Sequence, residues 1–108
     1  MLIIEAEILF DTPDTNETAL DNDLDTKYAI RPAINFGNDL LFSGDIKVDS
    51  IVKQIKRGRV YNVSIEMPTI EDEAYEAIKS LLIIGNNFKI QSASRLVGKG
   101  TINDYVYM

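Results

Sequence analysis

Hydrophobic and polar residues alternate with a period of two in several stretches of the chain, the pattern of strands that have one buried face. The clearest stretch covers residues 2–10, and its hydrophobic face is formed by Ile4, Ala6, Ile8 and Phe10. A second stretch lies near residue 60, with its hydrophobic face formed by Tyr61, Val63, Ile65 and Met67. Both are predicted to be strands that cover a hydrophobic core.

Shorter strands are predicted between and after these two, at 28–36, 40–42, 46–52, 88–92, 96–102 and 105–108. Pro32 lacks an N–H for a central ladder, so it predicts a sheet edge or a bulge inside the first of them. The hydrophobic pattern slips by one residue at Asp49-Ser50, which predicts a second bulge. Gly98 and Gly100 predict a bend or a close approach of backbones in the last third of the chain.

One segment changes to the spacing of a helix, with hydrophobic residues at Ile70, Ala74, Ile78 and Leu81. Thr69 and Asp72 have the spacing of a capping box, and acidic residues in the first turn suit the helix dipole. Gly85-Asn86 is a typical stop signal. The pattern therefore predicts one helix over about 70–83, and Gly37-Asn38 predicts a turn.

The size and composition predict a single globular domain, residues 1–108, with one core. Hydrophobic residues make up 45% of the chain and charged residues 26%, as in ordinary globular domains. The chain has no Cys and no His, which excludes disulfides, thiolate catalysis and the commonest general base and metal ligand. We therefore expect a non-enzymatic protein without a cofactor or a metal.

The net charge of −6 is unevenly distributed. Residues 1–54 carry a net charge of −7 and residues 55–108 a net charge of +1. An acidic chain does not favour nucleic acid as a partner, because that affinity comes largely from cations. The run Leu2-Ile3-Ile4 is interrupted by Glu5, so it predicts neither a signal peptide nor a membrane span, and we expect a cytoplasmic location.

Two charged segments are the candidate binding sites. The acidic loop, residues 11–26, contains Asp14, Glu17, Asp21, Asp23 and Asp25 among Thr, Asn and Pro residues. The basic turn, residues 53–59, contains Lys53, Lys56, Arg57 and Arg59 around Gly58. The simpler interpretations are a solvated loop and a charged turn that keeps a strand end soluble. The two segments could also bind each other across a homodimer.

Three further patterns are weaker candidates. The carboxylates of Asp21-x-Asp23-x-Asp25 resemble the start of a calcium loop, but Thr26 and Pro32 stand where the loop needs glycine and glutamate. The acidic residues at the start of the helix, Glu71, Asp72, Glu73 and Glu76, are predicted to be helix surface rather than a catalytic pair. Tyr105-Val106-Tyr107 is either an aromatic docking patch or a half-buried final strand.

Three short signatures occur in order along the chain: Glu5-Ala6-Glu7, Arg31-Pro32 and Arg95–Ile102. In this order the chain resembles the third domain of bacterial elongation factor Tu. The resemblance implies an all-β fold, a closed six-stranded antiparallel Greek-key barrel. It does not imply binding of GTP, because the chain has no phosphate-binding loop of the Gly-x-x-x-x-Gly-Lys-Ser/Thr type.

In that family the barrel contacts the GTPase domain, the exchange factor and the T-stem of transfer RNA. This chain departs from the family at Lys56-Arg57-Gly58-Arg59, which stands where the family has Met-Pro-Gly-Asp, and its predicted helix is longer. The resemblance therefore predicts the fold and none of these partners.

These observations predict a cytoplasmic protein-binding module, monomeric or homodimeric, that engages an unidentified protein through the acidic loop and the basic turn. One version neutralises a basic toxin or nuclease by complementary charge. Two alternatives remain. The chain could be a barrel that binds a small ligand, or is weakly catalytic, with a mouth lined by Asp, Ser and Arg. It could also be a structural component of a larger assembly.

Overall fold

The computed structural model describes all residues from Met1 to Met108, and strands dominate it. The strands are β1 (Leu2–Phe10), β2 (Leu24–Asp25), β3 (Ala33–Asn35), β4 (Leu41–Ser43), β5 (Asp45–Lys47), β6 (Gln54–Ile55), β7 (Val60–Met67), β8 (Asn87–Ser92) and β9 (Arg95–Tyr107). One helix, α1 (Asp72–Ile78), runs into a short 3₁₀ turn (Lys79–Leu81). Neither helical segment is long and apolar enough to cross a membrane.

Seven strands form one antiparallel sheet in the order β4-β3-β8-β9-β1-β7-β5. The first strand, β1, is central: it pairs with β7 on one side and with β9 on the other. Strands β2 and β6 form a separate two-stranded sheet. The sheet curls on itself into a nearly closed barrel.

The barrel comes close to closing because its two edge strands are neighbours in the chain. Strands β4 and β5 stand at opposite ends of the sheet order, yet only Gly44 separates them. Two backbone bonds cross this seam: Gly44 N–H donates to the carbonyl of Pro32 (3.0 Å), and Ile46 N–H donates to that of Ile30 (2.9 Å). The break at Gly44 gives the sheet seven strands, where six were expected.

Hydrophobic side chains fill the barrel interior. The core contains 19 buried residues, and no polar or charged side chain is buried. The alternating face predicted for the first strand is confirmed, since its inward residues are at most 2% exposed. Gly100 also faces inward, and the ring of Phe88 occupies the space beside it. The core is therefore continuous from one end of β1 to the other.

Several predicted strand boundaries were wrong. The stretch predicted at 28–36 is a strand only over β3, because Pro32 lies just before it, at the seam. The predicted bulge at Asp49-Ser50 is a turn, in which the Asp49 carboxylate accepts a bond from Ile51 N–H (3.0 Å). The last two predicted strands form one strand, β9, whose register against β1 shifts between Glu5 and Ala6.

The predicted turn at Gly37-Asn38 is confirmed. Asn38 and Asp39 both have positive φ angles (54° and 59°), and Leu40 N–H donates to the carbonyl of Gly37 (3.0 Å). This is the geometry of a type I′ turn, which matches the twist of the strands that it joins. It connects β3 and β4.

The helix is shorter than the predicted span of about 70–83. Its N-cap residue is Glu71 and no side chain caps it, so the predicted capping box does not form. The N–H of Asp72 instead donates to the hydroxyl of Tyr107 (2.7 Å), which docks the helix start on β9. Gly85, part of the predicted stop signal, lies beyond the 3₁₀ turn and has a left-handed φ of 94°.

Candidate functional site

The acidic loop and the basic turn lie side by side. Strand β2, at the end of the acidic loop, pairs with β6, at the start of the basic turn. Thr26 adds two hydrogen bonds to the backbone just before β6: its N–H donates to the carbonyl of Lys53 (3.1 Å), and its hydroxyl donates to the carbonyl of Val52 (2.6 Å). Two segments predicted as separate binding regions therefore form one surface.

Arg57 ties the two segments together. Its backbone N–H and its Nε both donate to Oδ1 of Asp23 at 3.0 Å, and its Nη1 donates to the carbonyl of Leu20 (2.8 Å). These bonds from Arg57, with the backbone bond as the largest contribution, hold the pKa of the Asp23 carboxyl below its usual value. Asp23 and Arg57 are engaged with each other, in contrast to the more exposed charges around them.

The middle of the acidic loop is fastened by Arg95. Its guanidinium donates from Nη2 to the carbonyl of Ala19 (2.6 Å) and from Nε to that of Thr18 (3.3 Å). Asn16 adds a bond from Nδ2 to the carbonyl of Leu96 (3.0 Å). In the sequence, Arg95 was identified only as the first residue of the third short signature. A lone Arg at the start of a strand gives no sequence signal for a loop 76 residues away along the chain.

The remaining predicted charges are exposed on this surface. The exposed acidic residues are Asp14, Glu17, Asp21 and Asp25, and the exposed basic residues are Lys53, Lys56 and Arg59. A hydrogen bond from the Thr12 side chain, as the largest cause, lowers the pKa of the Asp14 carboxyl. We call these seven residues the mixed-charge face. The four carboxylates of this face belong to the acidic loop, which Arg57 and Arg95 hold in place.

Besides Asp14, two of the mixed-charge residues have contacts within the molecule. The Nζ of Lys53 donates to the carbonyl of Ser50 (3.0 Å), and the Asp25 carboxylate lies 3.8 Å from the Nζ of Lys27. Both contacts are between exposed groups, so they are weak and readily exchanged. The face is therefore accessible to a partner.

The start of the helix packs against the N-terminus and the end of β9. Glu71 accepts a bond from the N-terminal ammonium of Met1 (2.9 Å), which is the main reason why its pKa is lowered. Tyr107 stacks on Tyr75 with the ring centroids 3.8 Å apart. Desolvation is the largest cause of the raised pKa of the Tyr107 hydroxyl. The aromatic end of β9 thus packs against the helix, as in the half-buried alternative.

A groove that the sequence reasoning missed lies on the barrel wall, and we call it the barrel groove. It has a volume of about 810 Å³ and is lined by parts of β1, β8 and β9 and by the turn between β3 and β4. Lys89 and Lys99 line it on neighbouring strands. In the sequence each lysine occupies an outward position of a predicted strand, but their pairing depends on a register that only the fold reveals.

Comparisons with known proteins identify no relative: a scan against protein-family models finds no match, and a search of curated proteins finds none either.

Proposed function

We propose that this chain is a non-enzymatic cytoplasmic module that binds a protein carrying a basic surface, through the mixed-charge face. The observation that supports the proposal is that the acidic loop is fastened at two places, at its middle by Arg95 and near its end by Arg57. A fastened loop presents its carboxylates in one arrangement. Little conformational entropy is then lost when a partner binds.

The charges of the face suit such a partner. Exposed carboxylates dominate the loop, and opposite potentials accelerate association and fix the orientation of two proteins. Lys53, Lys56 and Arg59 border them, so the partner would carry acidic groups beside its basic ones. Neutralisation of a basic toxin or nuclease is one role that fits this pattern.

We further propose that the barrel is of the elongation factor Tu third-domain type, with Greek-key connections and with β4 and β5 as two halves of one strand interrupted at Gly44, which makes six strands. The positions of the signatures support this assignment. Glu5-Ala6-Glu7 lies in β1, and Arg95–Ile102 lies in β9, the strand that pairs with it. Arg31-Pro32 lies at the seam, where Pro32 accepts a bond from Gly44. A crystal structure with a clearly different strand connection would contradict the assignment.

The test of the binding proposal is affinity capture from the lysate of the natural host, with the partner identified by mass spectrometry and its affinity measured by calorimetry. The informative variant is Glu17→Gln/Asp21→Asn, which removes two exposed negative charges. Neither side chain makes a hydrogen bond or ion pair in the structure, so the fold should be unaffected. We expect capture to weaken at least about tenfold, and the association rate to fall.

The matched control is Glu66→Gln/Glu73→Gln, which removes the same charge away from the face. We expect this variant to retain the partner. Equal weakening in both variants would mean that the change in net charge alone weakens capture, and this result would contradict the proposal. A stable stoichiometric complex that survives high salt would instead favour the structural component of an assembly.

A small-ligand barrel is the second candidate, and one observation bears on where its site would lie. The interior is filled by the hydrophobic core, so a ligand has no room inside the barrel. The barrel groove, with about 810 Å³, has the volume of known ligand sites. A ligand would therefore bind on the outer wall rather than in the mouth that the sequence suggested.

A further inference from the structure

The floor of the barrel groove is a row of side chains that crosses five strands. In the register of the sheet, Asn35 stands opposite Lys89, Lys89 opposite Lys99, Lys99 opposite Leu9, and Leu9 opposite Val60. All five residues line the groove. The row therefore joins a polar end, a cationic centre and an apolar end.

The cationic centre is electrostatically unfavourable in the free protein. Lys89 and Lys99 are directly opposite on β8 and β9, and like charges in that position destabilise a sheet. Neither lysine lies within ion-pair distance of a carboxylate. Their neighbours in the row, Asn35 and Leu9, are uncharged. Two adjacent positive charges thus face the groove without a counter-charge in contact.

The residues next to the row leave the lysines available. Thr101 donates from Oγ1 to Oδ1 of Asn87 (2.9 Å), so these two polar groups satisfy each other. The Asn35 amide is likewise engaged, by Gln91 (2.8 Å). The strongest unsatisfied donors on the groove floor are therefore the two ammonium groups.

The groove also offers apolar surface beside the cations. Val60 is 60% exposed and Leu96 is 37% exposed, and both line the groove with Leu9. Exposed hydrophobic side chains that adjoin a cationic pair suit a ligand with one anionic group and one apolar group. Opposing side chains in an antiparallel pair are about 5 Å apart at Cβ, so both ammonium groups can reach one phosphate.

We propose that the barrel groove binds a small organic phosphate, with the phosphoryl group between Lys89 and Lys99 and the apolar part of the ligand against Leu9, Val60 and Leu96. The doubly charged phosphoryl group offsets the repulsion between the two lysines. Binding of this kind is independent of the mixed-charge face, which lies on other segments of the chain.

The acidic residues of the groove restrict the ligand to a small one. Glu7, Asp11 and Asp39 also line it, so a polyanion such as a nucleic acid would be repelled along most of its length. Asp11 is engaged by Asn16, whose Nδ2 donates to its Oδ2 (2.9 Å). A single phosphate can contact the two lysines while the rest of the ligand stays uncharged.

The test uses phenyl phosphate as the probe, followed by two-dimensional NMR of the amide groups and by calorimetry on the intact chain. We expect saturable shifts of the amides of Lys89, Lys99 and Thr101. Inorganic phosphate, which lacks the apolar part, should bind more weakly at the same amides. Phenol, which lacks the charge, should shift them little.

The variant Lys89→Gln/Lys99→Gln should weaken phenyl phosphate binding at least about tenfold, since it removes two charge-assisted contacts. The matched control is Lys47→Gln/Lys79→Gln, which removes the same charge from exposed residues outside both the groove and the mixed-charge face, and should retain binding. Circular dichroism spectra and melting temperatures of both variants verify that they are folded. Absence of saturable shifts in the intact chain, or equal weakening in the two variants, would overturn the proposal.

Discussion

Replacement of Gly100 by alanine tests how the core is packed. A Cβ atom at Gly100 would lie 2.5 Å from Cε2 and 2.9 Å from Cε1 of Phe88, and closer still to Cζ. Phe88 is only 3% exposed, and its ring packs against that of Phe36 at a centroid distance of 6.5 Å. The ring therefore cannot move into solvent without opening the core.

The magnitude follows from these contacts. Overpacking of a core by one methyl group typically costs about 1–3 kcal/mol. The contact with several ring atoms places Gly100→Ala in the upper part of that range, and the lower backbone entropy of alanine in the unfolded chain returns roughly 0.5–1 kcal/mol. We expect a net loss of about 2 kcal/mol, or a fall in Tm of roughly 10 °C.

Urea unfolding, followed by circular dichroism, measures this loss directly. A double-mutant cycle with Phe88→Leu isolates its cause, because leucine lacks the ring atoms that meet the new Cβ. In the Phe88→Leu background, Gly100→Ala should cost less than about 1 kcal/mol. A loss below about 0.5 kcal/mol in the wild type, or an equal loss in the two backgrounds, would refute the packing argument.

Three other predictions concern charge and backbone. Asp23→Asn removes a carboxylate whose pKa is lowered by Arg57. In urea unfolding the variant should be less stable than the wild type at pH 7. The difference should begin to shrink near pH 3.8, the usual pKa of Asp, and should be lost as the pH falls through the lower pKa of the folded state, so it should be smaller at pH 3 than at pH 7. Asp39→Gly should raise the free energy of unfolding by up to about 1 kcal/mol in urea unfolding, because glycine adopts the positive φ of this turn without strain. Asp39→Val should lower the free energy of unfolding in the same experiment. Lys99→Thr should raise Tm by about 1–4 °C in calorimetry, because it removes the repulsion from Lys89. An unchanged Tm in this variant would argue against that repulsion.

The long alternating strands could be predicted from the sequence because their hydrophobic period reflects one buried face. The residues of β1 illustrate this, since every second side chain is buried as expected. Shorter strands such as β3 and β5, three residues each, carry too few side chains to establish a period. Their boundaries depend instead on the seam, where Pro32 and Gly44 meet across the hairpin that β3 and β4 form.

The candidate site could be predicted only in part. The acidic loop and the basic turn were identified by composition, which needs no knowledge of the fold. Their junction through Asp23 and Arg57, and the opposition of Lys89 and Lys99, are properties of strand register. Register results from tertiary packing, so a single sequence gives no direct signal for either.

The central position of β1 affects how the chain must fold during synthesis. One partner of β1, β9, begins at Arg95, so the two strands meet only after most of the chain has left the ribosome. Such distant pairing is slow, because the entropy of closing a long loop is lost before any contact is gained. Until then the hydrophobic face of β1 has no complete cover. A nascent chain of this fold therefore leaves one edge of its first strand open to non-native contacts until β9 has been made.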